Sequence, residues 1–375
     1  MRTVALRMLL GDHAKYLSLV LGLAFASLLI TQQGSIFLGL MLRATGPLQN
    51  ISQADLWVTD PAVQWISETR AVSDDDLNRV RSVPGVAWAE PLFNGRAVCE
   101  LADGKFRSVN IVGISRSTLV GGPPEVLEGR LEDLRIEDAV FVEQSSRAKL
   151  GNPRIGDTLK LNDRRAVVVG FCRAKAGFDS PAVMYSSYAN AVRFVPLGRK
   201  TLTYILVGVK PDAGVHDVQR RIGEIPGLAA FTTDELRWLT VGFIMRETGI
   251  GINFGITVLL GFIVGIVVAG AIFYQFTLDN LRSFAVLKAL GARRATLIGM
   301  QLLQAMVVGF MGLGLGVGLA SLFALAGRRP GAELAVYFPW PLLLGAFGAM
   351  LVCVFAGSLL SLQRVLRLEP AVVFK

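Results

Sequence analysis

Four stretches of the 375-residue chain contain no Asp, Glu, Lys or Arg: residues 16–42, 248–278, 295–327 and 334–363. Each exceeds the roughly 20 residues that an α-helix needs to cross the hydrocarbon of a bilayer. Hydrocarbon offers no partner to a backbone N–H or C=O, so a crossing segment must satisfy its own hydrogen bonds. Helices do this one at a time. Composition agrees, since 52% of the residues are hydrophobic, mean hydropathy is +0.51 and only 18% are charged, against about 25% in soluble domains. The pattern predicts a membrane protein of four helices with long ends that tilt or continue beyond the lipid.

The spacing of these runs sets the domain plan. Between the first and second lie residues 43–247, of ordinary soluble composition, whereas the later gaps are short. This is one span, a large hydrophilic domain, then three spans in succession. Residues 43–247 hold 26 Lys/Arg against 25 Asp/Glu, a net of +1, and the rest of the chain holds 12 against 4, a net of +8. The surplus gathers at Arg2, Arg7 and Lys15, at Arg282, Lys288, Arg293 and Arg294, and at Arg364, Arg367 and Lys375. Four crossings put all three groups on one side, which the positive-inside rule makes cytoplasmic. Arg328 and Arg329, in the short outer loop 328–333, run against that bias. The expectation is a bacterial inner (plasma) membrane protein with both termini in the cytoplasm and the large domain periplasmic. The pI of 9.7 is then a topology signal and not a nucleic-acid footprint. The first 26 residues imitate a secretory signal, but the apolar run continues to residue 42, which fits a retained anchor.

Within residues 43–247 two segments look alike. A strand at 54–58 is followed by a helix at 73–83 and the turn Pro84-Gly85; a strand at 202–209 is followed by a helix at 216–225 and the turn Pro226-Gly227. Ser73 and Asp76 have capping-box spacing, so Asp74, Asp75 and Asp76 read as the favoured acidic start of a helix and not as a calcium loop. A hairpin is expected around residues 102–105 and another around Asn162-Asp163. The reading is a two-lobed α+β domain, with a mostly β insert at about 117–196. No catalytic or metal set assembles: His216 stands at a helix start, and Cys99 and Cys172 fall in apolar strand patterns as buried thiols, although the periplasm permits a disulfide.

Small-residue pairs, Gly251 with Gly255, Gly261 with Gly265, Gly312 with Gly316 and Gly314 with Gly318, allow helix backbones in the spans to approach closely. The spans carry no ionisable Lys, Arg, Asp or Glu, which argues against a channel or a proton-coupled carrier. The segment from Leu278 to Arg294 differs in kind. It reads as a short basic amphipathic helix between the second and third spans, with Leu281, Phe284 or Ala285, and Lys288 on adjoining turns, Val286 and Leu290 on another face, and Gly291 as its C-terminal cap.

The run from Ala285 to Ala292, followed by 293–301, resembles the signature of FtsX/MacB-type (type VII) ABC transporter permeases. Residues 362–371 resemble that family's C-terminal end, Ala5 to Leu10 its N-terminal interfacial helix, and the Leu-Lys-Ala-Leu-Gly form of the loop its DevC-like branch. The resemblance implies a fold of four transmembrane helices with Porter-like and Sabre-like outer lobes. It also implies that Leu281, Arg282, Phe284, Leu287, Lys288, Leu290, Gly291 and Arg293 dock on an ATPase. Where many members carry an Arg-Glu pair, this chain has Ser283-Phe284. No G-x-x-x-x-G-K-[ST] phosphate loop is present, so ATP would be bound by a separate ATPase subunit, with no cofactor on this chain. The implied assembly is a homodimer with two ATPase subunits, a membrane-fusion (adaptor) protein and an outer-membrane channel. Its implied action is mechanotransmission, in which ATP-driven movement of the outer domain exports a substrate. Lipoprotein release, regulation of a cell-wall hydrolase in the FtsX manner, and an ATPase-free sensor are the other readings.

Overall fold

The computed structural model describes residues 2–11, 13–68, 70–175, 177–178, 181–195, 202–327 and 335–367. The expected outer loop 328–333 with Arg328 and Arg329, and the tail from residue 368 to Lys375, lie outside them. In chain order the helices are α1 (Arg2–Leu10), α2 (His13–Ala44), α3 (Gly46–Gln49), α4 (Asp74–Arg81), α5 (Tyr188–Phe194), α6 (Val215–Gly223), α7 (Thr233–Glu247), α8 (Ile250–Asp279), α9 (Leu281–Ala289), α10 (Arg294–Ala326) and α11 (Trp340–Arg367). The strands are β1 (Leu56–Thr59), β2 (Val86–Glu100), β3 (Phe106–Ile114), β4 (Glu125–Glu128), β5 (Ala139–Glu143), β6 (Thr158–Leu161), β7 (Arg164–Arg173), β8 (Ala182–Ser187), β9 (Tyr204–Val209) and β10 (Ala229–Thr232). Two units result, a helical one from the residues up to Gly39 and from Ile250 onward, and a mixed one from Leu40 to Gly249.

Among the described residues of the helical unit, α2, α8, α10 and α11 are long and apolar enough to cross a membrane. The fourth apolar run begins its helix only at Trp340, with 335–339 outside any helix. Pro339 bars the residue before it from helical backbone, while Pro341 is tolerated in the first turn. Core and surface are both apolar: Leu19, Leu23, Phe273, Val308 and Val354 are buried together, while Ile252, Ile256, Leu259, Ile263 and Val267 of α8 are exposed. Lipid is the solvent that suits such a surface.

Glycine decides where the helices touch. A Cβ added at Gly316 would come within 2.5 Å of the Ala24 carbonyl oxygen, and one at Gly312 within 2.7 Å of Leu23 Cβ, so α10 lies backbone-close to α2. Gly265 of α8 faces Ala26 and Cys353 in the same way, and Gly261 faces Ile30. Gly251 is half-buried, whereas Gly255, Gly314 and Gly318 meet nothing within 4 Å.

The mixed unit is organised by β2. Its first half pairs with β9 and its second half with β3, on opposite edges. On one side stands the ladder β10-β1-β9-β2, into which the two similar segments interleave: β1 and β2 flank β9, and β9 and β10 flank β1. This is a split βαβ arrangement used twice. α4 and α6 pack through Leu77, Val80, Val218 and Ile222 on the same face. Each ends in its Pro-Gly turn, with Gly85 at φ 98° and Gly227 at φ 82°. The capping box of α4 is present, Ser73 Oγ accepting from Asp76 N–H and Asp76 from Ser73 N–H. Burial pushes the Asp76 carboxyl up, but hydrogen bonds from Ser73 and Arg79 outweigh it and hold it below its ordinary value.

On the other side the ladder runs β2-β3-β8-β5-β7, and β6 pairs with both β7 and β2, closing a ring of six strands. Closure removes exposed strand edges. The β6–β7 hairpin turns on Asn162-Asp163 at φ 44° and 63°, the left-handed pair that a two-residue loop of this hand requires. The segment expected as an insert, about 117–196, supplies β4 to β8 and α5. Its core is completed by Phe93, Ala97, Cys99, Val109 and Ile111 from β2 and β3. Cys99 points into the ring, and Cys172 belongs to the separate core outside it. The ring wall thus keeps both thiols free, and burial pushes them up to about 11 and about 12.

Gly316→Leu should lower the thermal stability of the detergent-solubilised protein by about 1–3 kcal/mol through overpacking. Gly314→Leu, two residues away on the open face, should leave it unchanged. Thermal unfolding followed by circular dichroism makes the comparison.

Candidate docking surface between the second and third spans

The turn that follows α8 is made by Asn280, whose Nδ2 donates to Phe276 O (2.9 Å) while its own carbonyl accepts from Phe284 N–H (3.1 Å). Nine residues of α9 follow. Its end is a Schellman motif: Ala292 N–H donates to Leu287 O (3.0 Å), Gly291 N–H donates to Lys288 O (3.1 Å), and Gly291 sits at φ 88°. Leu287 and Ala292, the two positions where this motif usually carries an apolar pair, both pack against Phe284 and Leu297. Arg293 takes extended backbone, and α10 starts at the next residue.

α9 has two faces of different character. Inward, Phe284 is 1% exposed and Ala285 fully buried. Phe284 packs on Leu297 of α10, with Met8 of α1 and Leu287 against the pair. α1 is itself tied to α10, since Gln304 Nε2 donates to Ala5 O at 2.8 Å in a buried setting, and Gln301 Nε2 donates to Thr277 Oγ1 at the end of α8 (3.4 Å). Outward, Arg282, Val286, Ala289 and Leu290 are exposed, Leu290 at 79%. These positions recur at i, i+4, i+7 and i+8, so they line one stripe of the helix. Gly291, Arg293 and Arg294 are exposed beside it, and Leu281 and Lys288 are half-buried at its flanks.

Of the eight residues expected to dock, Arg282, Leu290, Gly291 and Arg293 therefore lie on the open surface. Leu281, Leu287 and Lys288 border it, and Phe284 is turned inward as the anchor of α9. Val286 and Ala289 complete the exposed ridge although they were not among the eight. The helical period already placed Val286 on the face of Leu290. The inward turn of Phe284 depends on Leu297 and Met8, which lie on other helices. An apolar ridge edged by three arginines suits an acidic-rimmed hydrophobic groove on a partner. Among the described residues, no three His, Cys, Asp or Glu side chains gather at metal distance.

Comparison with known proteins agrees with this architecture. The FtsX-like permease C-terminal family matches residues 252–370, and the MacB-like periplasmic core domain family matches residues 17–225. The chain belongs to the FtsX/MacB-type permeases, a class of ABC transporter membrane subunit. Relatives include an "Uncharacterized ABC transporter permease" of Mycobacterium tuberculosis, 27% identical over 303 residues that cover 80% of this chain and 78% of that one. One of the same description in Mycobacterium bovis is 25% identical over 307 residues, with the same coverage of each chain. Among solved structures, the periplasmic region of MacB from Actinobacillus actinomycetemcomitans aligns at 14% identity and TM-score 0.40, covering 53% of this chain and 94% of that one. The extracellular domain of the transporter YknZ from Gram-positive bacteria aligns at 11% and 0.36, covering 48% and 99%.

Phe284→Ala should destabilise the helical unit by about 3–5 kcal/mol, the cost of emptying a buried aromatic site, whereas Leu290→Ala should change stability by less than about 0.5 kcal/mol. Thermal unfolding of the two variants in one detergent distinguishes an anchor from a free surface.

Proposed function

We propose that the chain is the membrane subunit of an ABC exporter, and that α9 is the lever on which a separate ATPase acts. The observation that carries this reading is the division of α9 into a buried anchor, Phe284 on Leu297, and an exposed apolar ridge, Val286, Ala289 and Leu290, edged by Arg282, Arg293 and Arg294. A side chain as apolar and exposed as Leu290, set on a helix whose other face is fixed, is a surface awaiting a partner. Force applied to the ridge passes through Phe284 to α10 and α1, because these contacts leave α9 no independent freedom. The Ser283-Phe284 pair supplies no acidic partner, so docking rests on apolar contact and on the basic rim.

In this reading two copies of the chain work with two ATPase subunits that bind the ATP, and the chain itself holds no cofactor. Nucleotide-driven approach of the ATPases moves α9, tilts α2 and α8, and rearranges the outer domain. The ladder β10-β1-β9-β2 corresponds to the Porter-like lobe and the six-stranded ring to the Sabre-like one. The scarcity of ionisable side chains in the spans fits work delivered across the membrane without passage through a central pore. An adaptor protein and an outer-membrane channel complete the path of the substrate, with α9 and both termini in the cytoplasm of the inner membrane and the large domain in the periplasm.

Two experiments test this. Leu290→Asp combined with Lys288→Asp should return ATP hydrolysis in the co-purified complex to the level of the ATPase alone while membrane insertion is retained; unchanged hydrolysis would remove α9 from the docking site. Ser283→Cys should react in inside-out vesicles and not in intact spheroplasts treated with an impermeant maleimide. The three natural thiols are buried, so the background is low. Labelling from the outer side would reverse the topology.

A further inference from the structure

α1 is held to the helical unit along one face only. Ala5 and Leu9 are buried, Leu9 in the core that contains Leu19, Leu23 and Phe273, and Met8 packs on Phe284 and Leu297. The opposite face carries Val4, Arg7 and Leu10, all exposed. The helical period puts Arg7 at its centre, with Val4 and Leu10 each about 60° to one side. Among the described residues none pairs with the Arg7 guanidinium. Residues 1–15 hold Arg2, Arg7 and Lys15 against Asp12 alone.

Contacts of the long helices fix the depth of this face. α10 runs parallel to α2, since Gly312 meets Leu23 and Gly316 meets Ala24 and Leu28. Gln304, which donates to Ala5 O, precedes Gly312 by about 12 Å of helix. It therefore stands level with the start of the charge-free run of α2 at Tyr16. At the other end Tyr337 N–H donates to Ser35 O at 3.0 Å. Tyr337 and Trp340 are exposed there, Trp340 at 72%, as in the aromatic belts that mark a bilayer boundary. From Tyr16 to Ser35 is about 28 Å of helix, against roughly 30 Å of hydrocarbon in a bilayer. α1 thus lies at the boundary opposite Trp340. The exposed stripe Leu17, Leu21 and Phe25 of α2 starts beside that level and runs into the hydrocarbon.

We propose that the open face of α1 binds an anionic phospholipid, with Arg7 on the phosphate and Val4 and Leu10 among the glycerol and upper acyl chain. A guanidinium between two apolar side chains is costly in hydrocarbon. At the headgroup it finds a planar, bidentate partner in the phosphate oxygens. The surplus of positive charge selects an anionic lipid over a zwitterionic one, by roughly fivefold for each cation at the surface. This goes beyond the ATPase reading and is measured with no ATPase present, so either can fail without the other.

The test uses the full chain in lipid nanodiscs, with the fluorophore bimane attached at Leu10→Cys; the natural thiols are buried. A nitroxide quencher is carried on the upper acyl chain of either phosphatidylglycerol or phosphatidylcholine. Both lipids should quench, phosphatidylglycerol the more strongly at equal content. Arg7→Gln should lower that preference roughly fivefold, Arg7→Lys should largely keep it, and inorganic phosphate at constant ionic strength should leave it unchanged. Bimane at Val4→Cys repeats the measurement should Leu10→Cys fail to fold. Quenching by neither lipid, which means that protein covers this face, overturns the proposal. So does a preference that survives Arg7→Gln, or one erased by inorganic phosphate, which marks a site for the free ion.

Discussion

Hydrocarbon cannot hydrogen-bond a peptide group, and it gives two apolar helices no reason to exclude it from between them. Both facts shape the helical unit. The first dictates helices wherever charge is absent for long enough, and four are found among the described residues. The second means that side-chain hydrophobicity cannot hold those helices together, and close contact must do so instead. Gly312 and Gly316 provide it by letting α10 reach the backbone of α2, and Gly261 and Gly265 by bringing α8 to the same helix. α2 is thus held from two sides by residues that have no side chain.

The mixed unit answers to water and reaches stability by the opposite route. Its apolar residues are sorted into three cores by strand alternation, and β2 serves all of them because it is long enough to pair with β9 in one half and β3 in the other. A strand with that duty cannot change register without turning every core residue outward. This explains why the ring and the interleaved ladder share one strand and are not joined by a linker. The polar interruption at Asn94 and Asn110 stands out against so regular an alternation.

α9 lies where hydrocarbon rules give way to aqueous ones. A nine-residue helix is too short to be stable alone, and it persists because its ends are fixed, by Asn280 at the start and by the Schellman motif at Gly291. Its inner face is held by Phe284 and Leu297. With stability supplied from within, the outer face is free to carry Leu290 in the open. In the reading proposed above, a residue that would be an aggregation hazard elsewhere is where the ATPase docks.

Much of this was readable from the chain itself. Runs without charge located the long apolar helices, the capping box at Ser73 and the Pro-Gly turns located the twin helices, and Asn162-Asp163 marked its hairpin, because each of these depends on local chemistry or on composition over a helix length. The closing of six strands into a ring, the separation of Cys99 from Cys172 by its wall, and the choice of Gly316 over Gly314 as the contact rest on partners tens to hundreds of residues away. The same holds for Phe284: periodicity divides α9 into faces, but only Leu297 and Met8, arriving from other helices, determine which face is buried. Local sequence specifies which conformations a segment prefers, and the packing of distant segments selects the side on which each residue is used.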